Sequence, residues 1–401
     1  MTATRPEERK IEIATKLLLM SFASYIFARL FIFSFDLDWP GKFHPFRVPA
    51  SSYAGWDSRN IQVAAACAHL SAESSSYGNC VAKAQPVRAI YPEAVVPAYN
   101  YPSIWARVYG QFGDDSERFF RKFWVLNAVL LVGTLFGLCW ITNFRLFPLV
   151  IFSPVTILAV EKGNIEGITF AFVFFPLLFS SAPLLVGFVL SLGGALKLAP
   201  VTALPFVAAM WWERRVLVRL AVGAALCTPL LLPAMLELPS IVANTPSGGT
   251  FAFGLRVAEF WVGGPTGTAW AIAFLLLTGL VAWIVIKRRD CLDGLSTEVA
   301  LISEKKRVIA LVSVSVFLVA FLLNVNWAYR FLYLVPAALV LSSLTHPSAR
   351  CFVLAVIGAL WSRWVVPDFG LGLAAYAIFP LAATLLFSLL KRRIEAGVGS
   401  V

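Results

Sequence analysis

Charged residues set inside long apolar runs are the positions most able to do chemistry in this chain. An ionisable side chain in hydrocarbon costs a few kcal/mol at least, so by default it marks function. Arg29 lies late in the first apolar run, and Glu161-Lys162-Gly163-Asn164-Ile165-Glu166-Gly167 separates two others. Lys197 sits in Gly-Gly-Ala-Leu-Lys-Leu-Ala-Pro, and Arg330 follows Asn-Val-Asn-Trp-Ala-Tyr. The acidic candidates are Asp57, in Ala-Gly-Trp-Asp-Ser-Arg-Asn, and the Asp36-Leu-Asp38 pair where the first run ends. A carboxylate within hydrogen-bond reach of a hydroxyl can take its proton. Fixed cations can stabilise negative charge that grows on a departing group. Blander roles compete. A lysine at a helix end can snorkel to a headgroup layer, and Asp57 can cap a helix over 58–70. Arg118, Arg121 and Lys122 can form a lipid-facing patch, and Asp114 and Asp115 read as a solvated helix cap. Asp36 and Asp38 can hold a divalent cation against a phosphate or simply form a charged exit. No required metal or other cofactor is expected.

The elements that must position these residues follow from composition. The chain has 401 residues, of which 14% are charged and 59% apolar, and its mean hydropathy is +0.79. A soluble domain carries roughly 25% charged residues, and one globule of this length cannot bury so much apolar surface. A soluble enzyme, a disordered chain and a disulfide-stapled secreted domain are excluded. A membrane β-barrel is disfavoured because the apolar runs are continuous rather than alternating. The predicted fold class is therefore an all-α polytopic membrane protein, a single integral membrane domain over 1–401. A retained first helix is expected near 17–35. Further spans are expected near 122–142, 146–160, 166–181, 183–197, 199–212, 216–235, 267–286, 308–324, 330–344, 351–366 and 370–390, about twelve in all.

The net charge of +11 points to topology and anionic headgroups rather than nucleic acid, because the basic residues flank apolar runs. Clusters at Arg214-Arg215, Lys287-Arg288-Arg289, Lys305-Lys306-Arg307, Arg350 and Lys391-Arg392-Arg393 predict cytoplasmic termini (1–16 at the start) and a cytoplasmic 287–307 loop. Two segments, 36–121 and 237–265, then face outward. In the first, Ile104, Val108 and Phe112 recur at spacings of four, with Trp105 and Tyr109 beside them, which predicts an interfacial helix over 103–113. Residues 244–250 have a flexible composition suited to a lid. Cys67 and Cys80 share the outer loop and could pair in an oxidising compartment, geometry permitting. The three histidines are too scattered for a metal site, and no phosphate-cradling Gly-rich loop occurs.

The stretch Glu161 to Arg215 closely resembles glycosyltransferase family 87, polytopic GT-C-type enzymes that take sugar from a polyprenyl-phosphate donor. The matching residues are Gly163-Asn164, then Ala195-Leu196-Lys197-Leu198-Ala199-Pro200, then the basic turn Trp211-Trp212-Glu213-Arg214-Arg215. Gly55-Trp56-Asp57 resembles an early Gly-x-Asp element. Tyr99-Asn100-Tyr101-Pro102 resembles a Tyr-Pro-Pro element whose second Pro is Ser103 here. Trp327-Ala328-Tyr329-Arg330 with Pro336 resembles a late Ser-Trp-x-His-Tyr element, with Tyr329 where the family has His and Arg330 where it has Tyr. The resemblance spans roughly 15–345.

The resemblance implies transfer of one sugar, mannose or another hexose or pentose, to a glycolipid or glycan acceptor on the outer face of the cell membrane, with inversion. Asp57 would be the general base. Lys197 and Arg330, with Arg59 and Lys162 behind them, would hold the donor phosphate. Asn164, Glu166, Tyr99, Tyr101 and Tyr329 would contact sugar or acceptor. The alternative is a lipid-linked sugar flippase or transporter, for which a midplane site and approximate sequence halves would be expected.

Overall fold

The computed structural model describes residues 6–36, 102–110, 116–161, 163–239, 289–323, 326–365 and 370–398, with isolated positions between 241 and 276. These residues are almost wholly helical. In chain order the first helices are α1 (Pro6–Asp36), α2 (Ser103–Gly110), α3 (Ser116–Ile141), α4 (Phe147–Ile151), α5 (Pro154–Glu161), α6 (Glu166–Leu177) and α7 (Pro183–Lys197). They continue with α8 (Leu204–Met210), α9 (Arg214–Ala225), α10 (Thr228–Leu236), α11 (Arg289–Leu301), α12 (Glu304–Leu323), α13 (Val335–Leu341), α14 (Pro347–Val365) and α15 (Gly370–Val398). One short antiparallel pairing joins β1 (Ala252–Phe253) to β2 (Asn326–Trp327), in register Ala252 with Trp327 and Phe253 with Asn326.

Proline decides where several helices begin. It stands in the first turn of α4, α7, α8, α10 and α13, where its missing N–H costs no helical bond. This punctuation breaks runs that hydropathy alone reads as continuous. The 146–160 run is α4 and α5, parted at Phe152-Ser153, and the Ser153 hydroxyl accepts from the Thr156 N–H at 3.3 Å to start the second piece. The 216–235 run is α9 and α10, bent by 70°. The 330–344 run opens as a 3₁₀ segment (Ala328–Leu334) before α13. There the Ser313 hydroxyl donates to the Tyr333 carbonyl and accepts from the Ala337 N–H at 3.0 Å. It stands where an i→i−4 bond would close, and an inserted side chain of this kind breaks a helix.

Among the described residues, Lys122–Ile141 of α3 is long and apolar enough to cross a bilayer by length and composition. The bent α9–α10 pair is a second such segment if taken as one broken span. Shorter apolar helices include α6 and α7. The expected 287–307 loop is not simply a loop, because α11 occupies most of it.

The core centres on α12, buried almost without interruption from Val308 to Phe321, and on α13, buried along its whole length. α12 and the 3₁₀ segment that leads into α13 pack with α6, where Phe170 and Phe174 meet Tyr333 at ring separations of 5.9 and 6.2 Å. α7 crosses α9 at backbone contact. A Cβ on Gly187 would stand 2.1 Å from the Leu220 carbonyl oxygen, and one on Gly223 2.0 Å from that of Leu184. At the end of the molecule away from Lys197, the Trp211 indole donates to Glu304 at 2.7 Å, and Lys305 donates to the Leu178 carbonyl at 2.7 Å. Lys16 lies over the rings of Trp140 and Phe144.

Glu298 of α11 joins the turn that precedes α14. It accepts from the N–H groups of Thr345 and His346 at 2.8 and 2.9 Å and from the Thr345 hydroxyl. The Thr345 hydroxyl chiefly, with the two amides and His346, holds the Glu298 carboxyl below its ordinary range.

Two stability predictions follow from this packing. Gly223→Ala should cost about 1–3 kcal/mol or more through overpacking against backbone. Gly133→Ala, where nothing lies within 4 Å of the added carbon, should be neutral or slightly stabilising. Thermal unfolding of the two variants in detergent gives the comparison, and equal melting temperatures would contradict the close crossing. Because the Glu298 pKa is lower when folded, its stabilisation is present above the unfolded value and is lost as pH falls through the folded one. Glu298→Gln should therefore melt below the parent at pH 7, with the gap closing below about pH 4. A gap that persists unchanged in acid would show that the carboxylate charge plays no part.

Candidate functional site

The site is built where α6 starts and α7 ends. The two helices form an antiparallel hairpin, so the first residue of one and the last of the other share one end. Glu166 is the first residue of α6 and Lys197 the last of α7. Each charge complements its helix dipole, an acid at an N-terminus and a base at a C-terminus. Glu166 is 0% exposed and Lys197 8%. The Lys197 ammonium pairs directly with the Glu166 carboxylate, and Arg330 Nε lies 3.9 Å from its other oxygen.

Asn164 organises this pair. Its side-chain oxygen accepts from the Glu166 N–H at 2.8 Å and from Lys197 Nζ at 3.1 Å. It thereby caps the start of α6 and orients the cation in one act. The turn that carries it needs Gly163, whose φ is 56°, a left-handed conformation that a β-carbon disfavours. α3 supplies the outer support on one helical face. The Trp124 indole donates to the Val160 carbonyl, and Asn127 Nδ2 donates to the Asn164 carbonyl at 2.7 Å. Tyr333, fully buried, interacts with Glu166 and Arg330.

A second support comes from α2. The Trp105 indole donates to the Leu196 carbonyl at 2.8 Å, satisfying one of the orphan acceptors at the end of α7 beside Lys197. Trp105 also packs edge-on against Phe123, with ring centroids 5.5 Å apart. The Ser103 N–H at the start of α2 donates to Glu237 at 2.7 Å, just beyond α10. The helix expected over 103–113 thus forms over Ser103–Gly110. Its tryptophan is buried against protein, where the indole N–H meets a backbone acceptor.

Asn164, Glu166, Lys197 and Arg330, named from the sequence, come together here. Asp57, Arg59, Tyr99, Tyr101, Lys162 and Asp38 lie outside the described residues, as do the side chains of Arg29, Asp36 and Tyr329 and the Cys67 and Cys80 pair. Sequence reasoning did not single out Asn127, Trp124 or Tyr333. A signal existed for two of them. Asn127 is a polar residue inside an apolar helix, and Trp124 precedes it by three positions on the same face. Tyr333 carried none, since a tyrosine among Phe and Leu reads as core.

The arrangement holds two cations against one carboxylate. Taking such charges out of water is repaid only when geometry and further hydrogen bonds compensate, which Asn164 provides. No protein-family model matches the chain, and no curated protein or solved structure matches it either.

A thermodynamic cycle tests the coupling. Lys197→Met should cost about 3–5 kcal/mol, because it removes the nearer of the two cations that pair with the buried Glu166. Adding Glu166→Gln should recover about 1–3 kcal/mol of that as a coupling energy. Additive losses in thermal or denaturant unfolding would mean that the two side chains act separately.

Proposed function

We propose that the chain is a polytopic membrane glycosyltransferase that moves one sugar from a polyprenyl-phosphate donor to a lipid-linked or glycan acceptor. The membrane reading is supported by large apolar side chains that face outward around the helices. Leu18 is 74% exposed, Phe179 72% and Leu354 72%, a surface that suits lipid rather than water. It is supported too by where the backbone breaks. The irregular turns at 163–165 and 331–334 are buried against other helices, the condition under which a bilayer tolerates them. On this reading the termini face the cytoplasm and the Lys197 end faces outward, with about twelve spans, several of them broken or short.

The observation that carries the catalytic reading is that Lys197 and Arg330, far apart in sequence, converge on one buried carboxylate. In the reaction proposed, an acceptor hydroxyl oxygen attacks the anomeric carbon and the bond from that carbon to the phosphate oxygen breaks. The bonding pair stays on the phosphate, and the hydroxyl proton passes to a carboxylate, assigned to Asp57. Lys197 and Arg330 stabilise the charge that grows on the phosphate, while Glu166 and Asn164 hold both cations in place.

The test is incubation of the purified chain with a panel of polyprenyl-phosphate sugars, with products read by mass spectrometry. Transfer should be lost by about 100-fold or more in Asp57→Asn, which keeps the capping ability of the side chain but not its basicity. Arg330→Met, assayed below its melting temperature, should lose on the order of 2–4 kcal/mol of transition-state stabilisation. No transfer from any donor would leave the flippase alternative, which the broken helices also suit. Movement of an intact lipid-linked sugar across a vesicle membrane would then establish it.

A further inference from the structure

We infer that α9 lies flat in the headgroup layer of one leaflet and that its arginines bind anionic phospholipid there. The inference rests on the membrane reading above and is independent of the sugar chemistry. Hydropathy counts α9 as the first half of a span, whose two ends would sit at opposite faces of a bilayer. In the structure both ends of α9 are held at one end of the molecule. Just before it, the Trp211 indole donates to Glu304, the first residue of α12, at 2.7 Å. Near its other end, Gly223 packs against Leu184, the second residue of α7. These two anchors are level with each other, because Lys305 donates to the carbonyl of Leu178, which lies between the end of α6 and the start of α7. Lys197 closes α7 at the other end, about 20 Å further along the axis. After α9 the chain bends by 70° into α10. That helix leads to Glu237, which holds the start of α2 beside the Lys197 end.

The residues of α9 suit that position. Leu220 and Gly223 are buried toward α7. On the opposite side Val218, Val222 and, just past the helix end, Leu226 recur at spacings of four and are exposed. They form an apolar stripe along one helix face, of the kind that settles at the boundary between headgroups and acyl chains. Arg214, Arg215 and Arg219 flank the stripe and are exposed. Among the described residues none of these three guanidinium groups has an ion-pair partner. Glu213 is the one acid in 212–226. Trp212, 74% exposed, stands at the start, and tryptophan is enriched at membrane–water boundaries. Unpaired cations along an apolar stripe complement a surface that offers phosphate on one side and hydrocarbon on the other. An anionic leaflet is such a surface.

The test uses the full chain in vesicles of phosphatidylcholine with phosphatidylglycerol. A fluorescent unnatural side chain is placed at Val222, or at Val129, which is exposed near the middle of Lys122–Ile141 in α3. Lipids that carry a quencher either high on the acyl chain or at its end report depth. The probe at Val222 should be quenched best by the shallow label and the probe at Val129 by the deep one. With quencher lipids of either headgroup, phosphatidylglycerol should associate at the Val222 probe on the order of fivefold better than phosphatidylcholine. In the triple variant Arg214→Gln, Arg215→Gln, Arg219→Gln, whose changes all fall at exposed positions, the two lipids should come within about twofold of each other. A deep probe at Val222 makes α9 half of a span and overturns the inference. A probe there that no lipid quenches, while Val129 is deep, shows another protein surface on α9 and overturns it equally. A lipid preference unmoved by the three substitutions takes the anionic lipid away from these arginines and overturns it too. If lipid quenches neither probe, the membrane reading itself fails.

Discussion

Burying Glu166 forces much of the surrounding architecture. A carboxylate with no exposed surface requires counter-charges, and those must arrive from elements that end or turn at the same depth. α7 ends on Lys197 at that depth, and the 3₁₀ segment delivers Arg330 there. α6 begins on the acid itself, so that its first N–H meets the Asn164 side chain. The α6–α7 hairpin, the glycine turn before it and the Ser313 insertion that breaks the chain at Tyr333 can all be read as solutions to one electrostatic demand. The tight α7–α9 crossing serves the same end. It fixes the helix whose last residue is the cation.

The sequence revealed the charged half of this site because charge in an apolar run is conspicuous. Lys197, Arg330, Asn164 and Glu166 could each be named without coordinates. It did not reveal who pairs with whom. Nothing in local spacing says that Glu166 faces Lys197 and Arg330 at once, because those relations cross helices. Tyr333 and Trp105 were opaque for a related reason. An aromatic residue suits core, interface and site equally, and only the position of the Leu196 carbonyl makes Trp105 a support for α7.

Helical character was equally plain from composition, but helix limits were not. Hydropathy averages over a window and passes across Phe152-Ser153 or Cys227 without a step, because the residues on either side are as apolar as a continuous helix would be. The breaks come from backbone hydrogen bonding: prolines set in the first turn of a helix, a serine that caps, and another that inserts from a neighbouring helix. The first two leave a trace in sequence. The third does not, since Ser313 acts on a chain segment twenty residues away.

The link from Trp105 to the Leu196 carbonyl also bears on how the protein is made. Its donor and acceptor are 91 positions apart. At ordinary rates of synthesis, roughly 5–20 residues per second, α2 emerges about 5–20 s before the carbonyl it docks on. Through that interval its indole has no backbone partner and its apolar side no finished surface. α2 must wait, and it can dock on the end of α7 only after α7 has arrived. Assembly of the Glu166–Lys197 end is thereby ordered in time by the chain itself, with α2 made first and seated late.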